Sequence, residues 1–176
     1  MSNVSNMRKL FALACILCSM HVVADEKLTF SPHSKSLRLA AIENNMNASF
    51  TGKLRITGVF HADFYGPDDA ENGAYFLPDT ASLKMLPNVT NGPHIKTAEQ
   101  IFIGDGPKSL ALAVGKQRAA RILNGEKKSF ESKAIATIQN FKTEVVCDHR
   151  EYEAKLISIK LLESEPVIVG ELNVGC

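Results

Sequence analysis

The middle of the chain alternates between apolar and polar residues over a long stretch. From Phe50 to Phe64 the even positions carry apolar side chains or glycine, whereas most odd positions are polar. A period of two is typical of a strand that buries one of its faces. Two internal glycines, Gly52 and Gly58, predict that this strand is bent or bulged, as at the corner of a small barrel.

Shorter strands follow, separated by connections rich in glycine, proline and asparagine. Apolar runs or alternating positions define them. The predicted strands cover residues 74–77, 100–103, 130–138, 145–147, 152–162 and 168–176. Residues 35–45 fit either a short helix or a strand.

The segment from Lys108 to Leu123 has helical spacing but contains a glycine. Apolar and small residues recur at helical intervals, and Gly125 would suit the end of one long helix. Gly115 would equally suit the end of an earlier helix, with a strand starting at Gln117. We favour the second arrangement, a short helix followed by a strand.

Together these elements predict one mainly β domain, a small closed or nearly closed barrel with one short helix, with an α+β fold as the alternative. Their order is similar to that of small exported bacterial domains with an OB-like plan. The resemblance covers roughly residues 50 to 140. Its motifs are Thr57-Gly58-Val59-Phe60, Phe64-Tyr65-Gly66-Pro67, Tyr75-Phe76-Leu77 and Val114-Gly115-Lys116. The resemblance implies an OB-like fold, and it implies no activity.

The N-terminal segment differs from the rest of the chain. A basic pair at residues 8–9 precedes an apolar run at 10–20, and charged residues begin at Asp25. This layout is typical of a secretory signal peptide, and the apolar run is shorter than the ~20 residues that span a bilayer. We predict a cleaved signal peptide at 1–24 and one domain at 25–176, periplasmic or secreted, with no membrane span after cleavage.

Charge is balanced overall and segregated locally. The chain has 20 basic and 19 acidic residues, so no general attraction to nucleic acid or membrane is expected. Residues 63–79 contain five acidic residues and no basic one, whereas residues 108–133 contain seven basic and two acidic ones. Both segments could simply face water, or face each other across the barrel, and we prefer this explanation to a binding role. If the basic segment binds a partner, an anionic envelope polymer or an acidic envelope protein is the candidate ligand. The candidate binding residues are Lys116, Arg118, Arg121, Lys127 and Lys128.

Two cysteines, Cys147 and Cys176, remain after the predicted cleavage. An even number of cysteines in an exported chain predicts a disulfide between them. The alternative makes Cys147 a nucleophile, because an extended backbone would place Cys147 and His149 on one face. We expect the disulfide.

A possible metal site lies at the end of the long strand. His61 and Asp63 are two residues apart on its polar face, and Asp68 and Asp69 follow closely. Imidazole and carboxylate groups are ordinary metal ligands, so these four residues are the candidate metal site. A solvated strand face that runs into a polar loop explains the same residues, and we prefer it.

Motifs of several enzyme classes are absent from the sequence, including Gly-x-Ser-x-Gly, His-Glu-x-x-His and a Walker loop. We therefore expect an exported, non-enzymatic binding domain that needs no cofactor. One form of this hypothesis is an inhibitor or immunity-type partner of an envelope enzyme or toxin, whose acidic loop at 68–73 enters a basic cleft. The alternative is a hydrolase that uses His61, Asp63 and Asp68 with a metal, or Cys147 with His149.

Overall fold

The computed structural model describes residues 30–31, 34–44, 46–65, 72–89, 100–124, 128–146, 149–163 and 167–169. The strands are β1 (Phe30–Ser31), β2 (Leu37–Glu43), β3 (Asn47–Phe64), β4 (Gly73–Pro78), β5 (Asn88–Val89), β6 (Ile101–Asp105), β7 (Lys128–Val146), β8 (His149–Leu161) and β9 (Val167–Val169). The helices are α1 (Thr80–Leu83), α2 (Gly106–Val114) and α3 (Lys116–Leu123).

The mainly β character that the sequence predicts is confirmed. The main sheet has seven strands in the order β2-β3-β4-β6-β8-β7-β9, and β1 pairs separately with β5. The contact between β6 and β8 is parallel, and the other pairings are antiparallel. Strand β7 also pairs with β3 over most of its length.

Strand β3 buries the face that its alternation predicts. Its register with β7 shifts between Ser49 and Lys53, and Gly52 in this interval has a φ of +113°. A Cβ atom at Gly52 would also overlap the carbonyl oxygen of Ser36 on the neighbouring chain segment. Glycine is required here for both reasons, and the predicted bulge is confirmed.

The core lies on the inner side of this sheet and is rich in phenylalanine. Phe60 of β3 and Phe130 of β7 are fully buried, and their ring centroids lie 5.8 Å apart. Helix α2 contributes Leu110, which is also fully buried. The side chain of Asp105 accepts a hydrogen bond from the Lys108 amide at 2.8 Å and so caps the start of this helix.

The prediction of a strand from Gln117 is wrong, because residues 116–123 form helix α3. Gly115 has a φ of +84°, which ends α2 and starts a second helix at once. Ala119 and Ile122 are buried, and a spacing of three residues places both on one helical face. The described residues therefore contain three helices where one was expected. None of these helices is long and apolar enough to cross a bilayer.

The structure resolves one ambiguous prediction and joins two strands that were predicted separately. Within residues 35–45, which fit either a helix or a strand, residues 37–43 form β2. The separate strands expected at 130–138 and 145–147 belong to one strand, β7, which ends at Val146. Asn140 takes a φ of +53° where the register with β8 shifts, so a bulge absorbs the irregularity without ending the pairing. Of the strand expected at 168–176, residues 168 and 169 lie in β9 and the remainder lies outside the described residues.

Candidate functional site

The outward side of the sheet carries a row of acidic and aromatic side chains. Strand register places His61 of β3 between Glu131 of β7 and Tyr75 of β4, and it places Tyr75 opposite Phe102 of β6. Asp63 follows His61 by two residues and so faces the same side. We call these five residues the acidic-aromatic face.

His61 is held between two carboxylates. Its Nδ1 lies 2.8 Å from Oε1 of Glu131, and its Nε2 lies 2.7 Å from Oδ1 of Asp63. An imidazole donates from both nitrogens only when it carries both protons. Even in that state one positive charge faces two negative ones, so the group of three side chains is net negative.

Two aromatic rings extend this row towards β6. The centroids of Tyr75 and Phe102 lie 5.6 Å apart in an edge-to-face arrangement with an interplanar angle of 62°, and the His61 ring lies 6.5 Å from that of Tyr75. The Tyr75 ring lies over Gly73, where a Cβ atom would come within 3.0 Å of it. Phe102 remains 39% exposed, as does Leu77 on the same side of β4. The rings are therefore ordered by their neighbours and still open to a ligand.

The negative charges of the face act on the Tyr75 phenol. Burial raises the pKa of Tyr75 above its usual value, and the carboxylates of Asp63 and Glu151 raise it further. The phenol therefore stays neutral in mildly alkaline solution and keeps a hydroxyl that can donate a hydrogen bond.

The metal site predicted at His61, Asp63, Asp68 and Asp69 is only partly visible. The structure brings His61 and Asp63 together, but both ring nitrogens of His61 face carboxylate oxygens. Within the described ranges, no group of three or more His, Cys, Asp or Glu side chains could hold a metal ion. Asp68 and Asp69 lie outside those ranges, so the metal site stays a prediction.

Only part of the predicted basic strip lies in the part of the chain that the structure describes. Lys116, Arg118 and Arg121 are all exposed on α3. Arg118 and Arg121 are three residues apart and lie side by side, whereas Lys116 and Arg118 are about 160° apart around the helix axis. Lys127 lies outside the described residues, and Lys128 is the first residue of β7. An anion site on this strip stays a prediction.

The cysteine and signal-peptide predictions fall outside the described residues. Cys147, Cys176 and residues 1–24 are not described. His149 starts β8, directly after the undescribed pair 147–148. The disulfide, the alternative nucleophile and the signal peptide therefore stay predictions.

The sequence interpretation missed three members of the acidic-aromatic face. Tyr75, Phe102 and Glu131 come from three strands, and only the pairing of those strands with β3 or with each other brings them together. The local signal available was the alternation of inward and outward side chains along each strand: Tyr75 lies between buried Ala74 and buried Phe76. This alternation predicts that Tyr75 faces outward, but it does not predict which residues of other strands lie beside it.

Comparison of this chain with protein-family models, with curated proteins and with solved structures found no match.

Proposed function

We propose that this protein is an exported binding module whose acidic-aromatic face takes a positively charged segment of a partner protein. The observation that carries the proposal is the placement of two half-exposed rings, Tyr75 and Phe102, beside the carboxylates of Asp63 and Glu131. An inhibitor or immunity-type partner of an envelope enzyme or toxin is the specific form that this surface favours.

The chemistry of the face suits arginine and lysine side chains. A guanidinium or ammonium group over a Tyr or Phe ring gains about 0.5–1 kcal/mol at an exposed site. Asp63 and Glu131 face the same side as the rings, and Glu151 lies close enough to influence the Tyr75 phenol. A cation stacked on the rings would therefore find carboxylates within reach, whereas an anion would be repelled.

The surroundings of the face suit a protein segment. The five residues lie on paired strands, so their spacing is set by the backbone hydrogen bonds of the sheet. Leu77 continues the apolar part of the surface along β4 and is 39% exposed. Exposed apolar side chains with a charged rim are typical of protein interaction sites.

We further propose that the main sheet closes as an OB-like barrel. Its support is the series of pairings from β3 to β4, β6, β8 and β7, because β7 pairs again with β3. OB-folds are five-stranded and bind ligands on the face of their second and third strands. In this order those strands are β4 and β6, which carry Tyr75 and Phe102.

The proposal of export rests on the sequence pattern of residues 1–24. We expect the protein recovered from the periplasm or the medium to begin at Asp25. N-terminal sequencing of the mature chain tests this part of the proposal. A mature protein that keeps its first residues would contradict it.

The binding face is tested with a fluorescent hexa-arginine peptide, whose anisotropy reports complex formation. Phe102→Ala should weaken binding about two- to five-fold, the equivalent of one exposed cation–π contact. Leu112→Ala is the matched control, because Leu112 is a similarly exposed apolar residue, 49% exposed on α2, and does not belong to the face. Glu131→Gln should also weaken binding, whereas Glu43→Gln, an exposed change on β2, should not. Binding should fall as salt is raised.

A different result would move the site elsewhere. If hexa-glutamate binds and hexa-arginine does not, and if Arg118→Ala with Arg121→Ala abolishes that binding, the basic strip is the ligand site. Equal affinity of the Phe102→Ala and Leu112→Ala variants for hexa-arginine would also contradict the proposed face.

A further inference from the structure

Arg150 is a buried cation near the connection between β7 and β8. It lies opposite Val145 in the register of these strands, and the residue is only 7% exposed. Its Nη1 donates to the carbonyl oxygen of Met46 and to Oγ1 of Thr143, both at 2.9 Å. Both acceptors are neutral.

The guanidinium has no negative partner among the described residues. Its Nε is buried and forms no hydrogen bond there. Both hydrogen bonds of the group come from Nη1. The edge formed by Nε and Nη2 therefore makes no hydrogen bond to the described residues. A buried charge is costly unless it is paired, and arginine cannot shed its proton to escape that cost. Burial accordingly lowers the pKa of Arg150, but the group stays charged at any physiological pH.

We propose that Arg150 anchors a second binding site, which takes a carboxylate across the Nε–Nη2 edge of its guanidinium. A planar carboxylate matches this edge with two parallel N–H to O hydrogen bonds. Binding would give Nε an acceptor and supply the negative charge that no described residue provides. The site is independent of the acidic-aromatic face, since it takes the opposite charge and lies on the other side of the sheet.

Two aromatic residues lie close to Arg150 along the inner faces of β8 and β7. Tyr152 and Phe141 are buried, and their ring centroids lie 5.2 Å apart. Thr143 is 1% exposed and already accepts a hydrogen bond from Arg150. Apolar surroundings strengthen a charged hydrogen bond.

The test compares acetate with acetamide, which has a similar shape and no charge, at constant ionic strength. In the wild-type protein acetate should shift the ¹⁵N and ¹H resonances of the Arg150 Nε–H group, and acetamide should not. Acetate at about 100 times its Kd should also raise the Tm by about 5–10 °C for a domain of this size.

Variants assign the effect to Arg150. Arg150→Met should abolish the acetate dependence of Tm. Arg150→Lys should weaken it, because an ammonium group lacks the two parallel N–H donors of a guanidinium edge. Arg55→Met removes an exposed arginine of β3 and should leave the effect unchanged. If Arg150→Met does not fold, the resonance shift in the wild-type protein still decides the question.

The source of the carboxylate is distinguished with trialanine and its C-terminal amide. Tighter binding of trialanine than of acetate supports a peptide terminus as the natural ligand. Binding of acetate alone supports a small free acid. In either case the amide should not bind.

Three results would overturn the proposal. The first is an Nε–H resonance that does not respond to any carboxylate. The second is an acetate effect of equal size in Arg150→Met and in the wild-type protein. The third is an acetate effect that occurs only in Asp148→Asn, since Asp148, which lies outside the described residues, would then be the internal partner of Arg150.

Discussion

Replacement of Ser82 by alanine should remove a hydrogen bond that substitutes for strand pairing. The pairing of β3 with β4 ends at Gly58 and Pro78. At the next residue of β3, the amide of Thr57 donates to Oγ of Ser82 at 2.8 Å, and its carbonyl oxygen accepts from the Asp79 amide at 2.8 Å. Helix α1 thus supplies the partners that β4 no longer provides.

The expected loss of stability follows from the burial of this contact. Ser82 is 2% exposed, so no water replaces its hydroxyl in the alanine variant without rearrangement. An unsatisfied buried amide costs about 1–3 kcal/mol. The higher helix propensity of alanine returns about 0.5 kcal/mol. We expect Ser82→Ala to lower the free energy of unfolding by about 1–2 kcal/mol, which corresponds to about 3–6 °C in Tm.

Urea unfolding followed by circular dichroism measures this change. The m-value should stay constant, because the surface exposed on unfolding is the same in both proteins. Ser109→Ala is the matched control: Ser109 is buried in α2 and accepts no hydrogen bond from a strand amide among the described residues. A Ser82→Ala protein as stable as the control would refute the reasoning, since the Thr57 amide would then have another partner.

Two further substitutions test the strand contact and the face. Gly58→Ala should cost about 2–3 kcal/mol in urea unfolding, because its Cβ atom would overlap the carbonyl oxygen of Leu77 and lie 2.9 Å from Cα of Pro78; a loss below about 0.5 kcal/mol would contradict this close approach. The pKa of Tyr75 is raised in the folded protein, so ionisation of Tyr75 lowers stability. This loss is absent below pH ~10, the ordinary pKa of tyrosine, and it grows as the pH rises through the pKa of the folded state. Unfolding measured from pH 8 to 11 should show a shallower fall in Tyr75→Phe, and an equal fall would assign the effect to other groups.

Local patterns predicted the strands well where one face is buried. The alternation from Phe50 to Phe64 reflects a strand whose inner side chains meet the core, so β3 and its bulge at Gly52 were predictable. The segment after Gly115 was not, because a glycine can separate a helix from a strand as well as from a second helix. Packing against the core decides between them.

The candidate sites depend on contacts between distant parts of the chain. His61 and Asp63 were predictable as neighbours because they are two residues apart on a strand. The contact between His61 and Glu131 joins residues 70 positions apart, and it exists only because β3 pairs with β7. No local pattern reports that register.

The sequence by itself determined the mainly β class, the inward and outward sides of β3 and the segregation of charge along the chain. These properties follow from side-chain polarity and from a two-residue period. Only the tertiary structure decided that acidic and aromatic side chains from β3, β4, β6 and β7 form one face, and that Arg150 is buried without a carboxylate partner among the described residues. Both depend on strand register and on burial, which the cooperative packing of distant segments sets and which no local stretch of sequence encodes.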